Sequence, residues 1–160
     1  MFTLAEEKKI VPLLASANYG AGVDMDSINM KNYHKATIIM TFGPVTGDAV
    51  LKAYSGATAA AKTSAIPFQY AITEATIGSS SGDVLGSTGT AVAASGLTLT
   101  AASVGSAMVV VEIDAAAMDI ANAEEFLTLN VSNAASSGIM HAVAILEPRY
   151  KGNTSPTALA

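Results

Sequence analysis

The segment most typical of a catalytic site is "GSSSG", Gly78–Gly82, which matches the G-x-S-x-G pattern of a serine nucleophile at Ser80. Asp114 or Asp119 and then His141 follow in the chain order of an α/β-hydrolase triad. That mechanism needs a sharp turn from a strand into a helix, but the residues after Gly82 are "DVLGSTGTAV", which do not favour a helix. Because small-residue runs match this pattern by chance, the sequence favours a flexible loop over a hydrolase site.

A second candidate is "DMDSIN", which resembles the start of a calcium-binding loop. The glycine expected at the sixth position is replaced by Asn29, and the glutamate expected at the twelfth is replaced by Lys35. Asp24 and Asp26 would then hold at most a weak ion, at a contact between subunits. The alternative is a polar turn whose Asp and Asn side chains bind nearby backbone groups.

The histidines and paired glutamates do not converge on a metal or acid–base site. His34 begins a predicted strand, and His141 lies inside the last one on the same face as Val143, which is typical of a histidine in a core or an interface. Glu124 and Glu125 point to opposite faces if a strand begins there, so they would bracket a strand edge. The sequence therefore predicts no catalytic, cofactor-binding or metal-binding residues.

The composition is unusual in its low charge. Hydrophobic residues make up 51% of the 160 residues and charged residues only 13%, against about 25% in an average soluble protein. So few charges cannot coat the surface, and we expect other copies or a partner to cover part of it. The net charge of −5 argues against nucleic-acid binding, and the absence of cysteine excludes disulfides and thiolate sites.

The N-terminal "KKIVPLLASA" has some features of a secretory signal, but two features argue against one. Glu6 and Glu7 precede the lysines, and Pro12 interrupts a short apolar run. The apolar run "AMVVVEI" ends in charged residues and is far shorter than the roughly 18 residues of a membrane span. The sequence therefore predicts a soluble protein that does not interact with membranes.

Most of the chain carries the two-residue alternation of β-strands rather than a helical period. Turn residues separate the strands at the spacing of an antiparallel sandwich or barrel, so the sequence predicts an all-β fold. Eight strands are predicted, of which the fourth is the weakest: Ala36–Phe42, Ala49–Tyr54, Ile66–Thr73, Asp83–Val92, Leu97–Thr100, Ala107–Ile113, Phe126–Ser132 and Ile139–Glu147.

Three further segments complete the predicted organisation. Residues 1–17 form an N-terminal arm or a short helix in "TLAEEKK" that Pro12 stops, residues 18–150 form the β domain, and residues 151–160 form a tail. Asp114 is predicted to cap a helical turn in "DAAAMDIANAEE". The region Gly78–Gly96 is the longest expected loop, because Ser, Gly, Thr and Ala dominate it.

Four stretches together resemble a known family: "GVDMDSINMKNYHKATIIMTFG", "AVLKAYSGATAAAKTSAIPFQYAI", "VVVEIDAAAMDIANAEEFLTLNVS" and "HAVAILEPRY". They are similar to small structural proteins encoded in the virion gene clusters of tailed bacteriophages. The similar region runs from about Asn18 to Tyr150. Its motifs are strand signatures and carry no chemistry.

The resemblance implies a non-enzymatic virion protein, first of all a capsid decoration, or cement, protein. Such a protein would be an eight-stranded jelly-roll-like sandwich that forms a homotrimer on the outer capsid surface and contacts the major capsid protein. It would be located in the host cytoplasm while the virion assembles. A tail or neck subunit is the alternative within the structural class. A carbohydrate-binding sandwich is a further alternative, although the chain has no Trp and only five Tyr and four Phe for a sugar platform.

The polar segment "NMKNYHK" before the first predicted strand is the nearest approach to a basic patch. Lys31 and Lys35 are two of only eight Lys and Arg in the chain, and no aromatic platform accompanies them. We expect Tyr33 to cover apolar surface with its ring, while the lysines charge the strand entry and discourage edge pairing. The segment is predicted to be a strand lead-in and a subunit contact rather than an active site.

Overall fold

The chain folds into two antiparallel β-sheets that enclose one apolar core. The computed structural model describes residues 3–132, 138–150 and 157–159. The prediction of an all-β sandwich is confirmed. The described residues form twelve strands: β1 (Lys9–Asn18), β2 (Val23–Asp24), β3 (Ile28–Asn29), β4 (Tyr33–Val45), β5 (Ala49–Gly56), β6 (Ser64–Ile66), β7 (Phe68–Thr73), β8 (Leu85–Ala91), β9 (Leu97–Leu99), β10 (Met108–Asp114), β11 (Phe126–Ser132) and β12 (Gly138–Pro148).

The helical segments in the described residues are all short. They are α1 (Thr3–Glu7), α2 (Ala101–Val104) and two 3-10 turns at Ala115–Ala117 and Ile120–Asn122. Asp114 caps the first of these turns, because its carboxylate accepts a hydrogen bond of 2.8 Å from the backbone N–H of Ala116. The predicted cap is therefore confirmed.

The strand order is that of a jelly roll. Sheet A runs β1-β12-β4-β10-β7-β8 and sheet B runs β2-β11-β5-β6. In sheet B, β3 also pairs with β11 and β9 also pairs with β5, so these short strands extend the two outer positions. With β2 and β3 counted as one position, eight positions can be numbered from 1 to 8 along the chain: β1, β2, β4, β5, β6, β10, β11 and β12. By these numbers the order is 1-8-3-6 in sheet A and 2-7-4-5 in sheet B. The hairpin β7–β8 widens sheet A beyond β10.

One predicted strand is two strands, and a proline divides them. The segment Ile66–Thr73 was expected to be continuous, but Pro67 separates β6 in sheet B from β7 in sheet A. Proline has no backbone N–H to donate to a sheet ladder, so it is tolerated where the chain leaves one sheet for the other. The weakest predicted strand, Asp83–Val92, is confirmed as β8, which lies inside the region Gly78–Gly96 that was also expected to be a loop.

The two ends of the chain contribute more to the sheets than the sequence predicts. β1 starts at Lys9 and pairs with β12, although an arm was expected as far as Ala17. Pro12 does not stop a helix but lies inside β1, because an edge strand has a free side where a missing N–H costs little. Of the predicted tail, the structure describes 157–159, where the carbonyl of Ala158 accepts a hydrogen bond of 2.8 Å from the N–H of Asn29.

The core is formed by alternate residues of the strands. In β4 the buried face is one alternating set, Ala36, Ile38, Met40 and Phe42. In β12 the face that carries His141 points outward, and the opposite face is buried instead: Met140, Ala142, Ala144 and Leu146. Both faces of β12 are apolar, so alternation alone did not distinguish them.

The connection between β5 and β6 folds back over the solvent side of sheet B. In this connection the N–H of Ala60 donates a hydrogen bond of 2.7 Å to Ser27 Oγ. Ser27 Oγ in turn lies 2.7 Å from Thr128 Oγ1 on β11. Because the connection covers it, Thr128 is fully buried although it points away from the core. Gly56 and Ala61 approach closely at the base of the same connection.

Candidate functional site

The proposed hydrolase residues do not form a triad with Asp114. Ser80 lines a shallow, open depression together with Thr41 and Met108, at the start of β10. His141 pairs with Thr41 across the sheet. Asp114, however, lies at the far end of β10, six residues from Met108, and a strand rises about 3.4 Å per residue. This places Asp114 roughly 20 Å from the depression.

The carboxylates of Asp119, the other candidate aspartate, and of Asp24, in the predicted calcium loop, already have protein partners. Asp119 accepts a hydrogen bond of 2.7 Å from Asn122 Nδ2. Lys62 Nζ lies 3.0 and 2.9 Å from the two carboxylate oxygens of Asp24, and Asn130 Nδ2 lies 2.6 Å from Oδ1. An ammonium group therefore occupies the position that a cation at Asp24 would take. Within the described residues, no group of three or more His, Asp or Glu is arranged to hold a metal.

The two lysines of the segment "NMKNYHK" form ion pairs at two separate places. Lys31 Nζ lies 3.6 Å from Glu125 Oε1, and Lys35 Nζ lies 2.6 Å from Glu112 Oε2 on β10. Because β4 is a central strand paired on both sides, Lys35 does not protect a sheet edge, contrary to the prediction. Tyr33 is buried as expected, and burial raises the pKa of its hydroxyl.

A small cavity lies beside Lys31. Its volume is about 110 Å³. Arg149 fixes one side of it, because its Nε donates a hydrogen bond of 3.0 Å to the carbonyl of Tyr33. The walls combine two basic, two acidic and three apolar side chains: Lys31, Arg149, Glu124, Glu125, Met30, Ala115 and Met118.

Glu124 is the charged group buried at this cavity, with 4% of its surface exposed. Its Oε2 accepts a hydrogen bond of 2.5 Å from Ser55 Oγ, and its Oε1 accepts one of 3.2 Å from Ser64 Oγ. Serine donors at both oxygens hold the carboxylate rigidly between β5 and β6. Since β11 starts only at Phe126, Glu124 and Glu125 do not alternate across a strand, and both face the cavity. The arrangement ties sheet B together and presents no nucleophile.

Sheet A has an outer face, meaning the side of that sheet away from the core. Strand pairing aligns a row of mostly apolar residues across it, and Ile139, further along β12 on the same face, is 57% exposed. A second row alongside is partly apolar. The residues of the first row, from β1 to β8, are Pro12, Val143, Ile39, Val110, Ala71 and Thr88, and those of the second are Ile10, Ile145, Thr37, Glu112, Gln69 and Thr90.

A charged border closes one end of this outer face. Lys8 Nζ lies 2.7 Å from Glu147 Oε1, and Lys35, which pairs with Glu147 across the strands, reaches Glu112. The hydrogen bond and the charge of Lys8 lower the pKa of the Glu147 carboxyl, and the charges of His34 and Lys35 lower it further. An apolar centre with a charged border is the usual layout of a protein–protein contact.

The lowered pKa of Glu147 predicts a small pH dependence of stability. Folding favours the ionised form of this carboxylate. Its contribution to the free energy of unfolding is therefore present above the ordinary pKa of 4.5 and is lost as the pH falls through the pKa of the folded state. Because both side chains are partly exposed, Lys8→Met should cost at most about 0.5 kcal/mol at neutral pH. Urea unfolding from pH 7 down to pH 3, compared between Lys8→Met and the unmodified chain, should show this difference shrinking with acid.

Lys9 provides the matched control, because no described residue forms an ion pair with it. Lys9→Met should leave the pH profile parallel to that of the unmodified chain. A Lys8→Met difference that is as large at pH 3 as at pH 7 would contradict the assignment of the lowered pKa to Lys8.

The comparisons with known proteins add no family. No protein family and no curated protein matches the chain. A solved structure of infectious bursal disease virus, Gt strain, is 8% identical with a TM-score of 0.18, over 94% of this chain and 42% of that one. One of the Gx strain is 11% identical with a TM-score of 0.14, over 91% and 39%. The chain spans less than half of either. No helix in the described residues is long and apolar enough to cross a membrane.

Proposed function

We propose that this chain is a structural protein of a tailed-phage virion, a decoration (cement) protein that binds the outer capsid lattice as a homotrimer. It contacts the major capsid protein, stabilises the head and catalyses no reaction. The sequence resemblance suggests the virion role. The observation that carries the proposal is the apolar outer face of sheet A, bordered by charges.

A solvated face of an antiparallel sheet normally alternates toward polar residues. This face instead presents Val143, Ile39 and Val110 side by side. Six strands about 4.8 Å apart give a face roughly 25 Å wide, and the seven residues of β10 at about 3.4 Å each give it a length of about 24 Å. The resulting area of about 600 Å² is of the same order as the about 800 Å² that each partner contributes to a standard interface. Covering this face would remove apolar surface from water, which favours binding by about 25 cal/mol for each Å² buried.

A protein that binds a capsid in many copies needs only modest contacts at each site. Anything that binds the folded capsid shell stabilises it by mass action, and many such contacts add up across a lattice. The paired charges at the border, Lys8 with Glu147 and Lys35 with Glu112, fix orientation more than affinity. We assign the outer face of sheet A to the contact with the major capsid protein.

The test is binding to heads of the encoding phage that lack this protein, followed by cryo-electron microscopy. We expect density on the outer capsid surface at three-fold or quasi-three-fold positions. Val143→Glu should lower head occupancy at least tenfold, because it places an unpaired charge in the centre of the contact. The matched control, Thr98→Glu, adds the same charge on the exposed side of sheet B and should bind normally.

Two outcomes would overturn the assignment. Density confined to the tail or neck would establish the alternative structural role. Normal head binding by Val143→Glu, with an unchanged unfolding midpoint, would remove the outer face of sheet A from the capsid contact.

Among the exposed large apolar and aromatic side chains of the described residues, Tyr150 is the one aromatic, which gives a carbohydrate-binding module little to stack on.

A further inference from the structure

The edges of the two sheets differ in how they are protected against pairing with another chain. Sheet B ends in strands of only two or three residues on both sides. The β1 edge of sheet A contains Pro12, begins with Lys9 and has register shifts between Pro12 and Leu14 and between Leu14 and Ala17. Short strands, prolines, lysines and bulges all discourage edge pairing.

β8 forms the other edge of sheet A and has few of these protections. Leu85–Ala91, "LGSTGTA", is seven residues long with no charge and no proline, and its one register shift lies at its first residues. Its backbone N–H and C=O groups on the side away from β7 face no strand of the described chain. Exposed apolar side chains lie at both ends of this strand, since Val84 is 44%, Leu85 48% and Val92 64% exposed.

We propose that two copies of this chain pair through β8, antiparallel about a two-fold axis at Thr88, to form one continuous twelve-stranded sheet. In this register the end of the strand that carries Val84 and Leu85 lies beside the end that carries Ala91 and Val92 of the partner subunit. Both exposed apolar ends of the strand are thereby covered by apolar residues. The strand thus complements itself, which an isologous contact requires.

The middle of the strand fits the same register. Thr88 meets its own copy, and cross-strand threonine pairs are favourable in antiparallel sheets. Gly86 and Gly89 leave room for their opposite residues, and no like charges meet. A second copy therefore suits this edge. The pairing does not rest on the virion role, and in trimers built through another surface it would link one trimer to the next.

Single-cysteine variants test the register directly, because the chain has no cysteine of its own. Thr88→Cys alone should form a disulfide-linked dimer under mild oxidation, since the two-fold axis places the residue opposite its copy. A mixture of Val84→Cys and Val92→Cys should form the mixed dimer in preference to either self-linked dimer. Ser16→Cys, exposed on the β1 edge, is the matched control and should stay monomeric on a non-reducing gel.

Analytical ultracentrifugation of the full chain supplies the second measurement. Thr88→Lys should raise the dissociation constant of the pairing at least tenfold by opposing two charges at the axis, whereas Ser16→Lys should leave it unchanged. Thr88 is exposed, so both variants should keep the unmodified unfolding midpoint. Equal cross-linking of Thr88→Cys and Ser16→Cys, or an association unaffected by Thr88→Lys, would overturn the proposal whether or not the protein binds capsids.

Discussion

Replacing Glu124 with alanine is expected to lower the free energy of unfolding by about 3 kcal/mol. The carboxylate is almost completely buried and accepts hydrogen bonds from Ser55 and Ser64. Ser55 has no exposed surface, so its hydroxyl would be left in the interior without this acceptor. The lost side chain would also enlarge the cavity beside it. Urea unfolding followed by circular dichroism measures the loss.

A double-mutant cycle separates the hydrogen bond from the cavity. Glu124→Ala, Ser55→Ala and the double variant should give a coupling energy of about 1–3 kcal/mol, because the two groups share one buried contact. Glu124→Gln keeps the shape and one acceptor oxygen and should cost less than the alanine variant.

Glu125 is the matched control for this prediction. It lies next in the chain and lines the same cavity, but its ion pair with Lys31 is long and partly exposed. Glu125→Ala should therefore change the unfolding free energy by less than about 0.5 kcal/mol. Similar losses for Glu124→Ala and Glu125→Ala would show that the buried serine contacts do not stabilise the fold.

The contacts of Glu124 could not be predicted from the sequence, for a physical reason. Its serine partners lie 69 and 60 residues away along the chain. Their approach depends on β5 and β6 pairing and on the position of the turn before β11, which no local pattern encodes. The two adjacent glutamates stand out in the sequence, but alternation assigns them to a strand that begins only at Phe126.

The strands with strict alternation were predictable, because a two-residue period reports directly on the side chains of a pleated strand. β11 coincides with the predicted Phe126–Ser132, and β4 extends the predicted Ala36–Phe42 by three residues at each end. β1 was missed because Pro12 and two register shifts interrupt its alternation, and the two-residue strands β2 and β3 are too short to produce a pattern.

The two-residue alternation of a strand does not by itself show which face points inward when both faces are apolar. β12 carries apolar residues on both faces, so no pattern favours burying Met140 and Leu146 rather than Val143 and Ile145. The structure buries the first pair. The apolar surplus seen in the composition is therefore partly located on the outer face of sheet A, where the proposed capsid contact would cover it.

Gly56→Ala is expected to cost about 2 kcal/mol, because the new methyl group has no room. A Cβ at this position would lie 2.5 Å from the Cβ of Ala61 and 2.9 Å from its carbonyl oxygen. The clash involves backbone, so the whole connection over sheet B must move. That movement strains the hydrogen bond from Ala60 to Ser27, which covers the buried Thr128. Thermal and urea unfolding of the variant measure the loss.

Two variants make this expectation specific to the contact with Ala61. Gly43→Ala in β4 is the matched control, because its Cβ would lie 3.6 Å or more from its neighbours, an ordinary contact. It should be neutral or stabilising by about 0.5 kcal/mol through lower freedom of the unfolded chain. Adding Ala61→Gly to Gly56→Ala removes the methyl–methyl clash but leaves the carbonyl oxygen, so the rescue should be partial. Equal effects of Gly56→Ala and Gly43→Ala would mean that this connection does not pack tightly on sheet B.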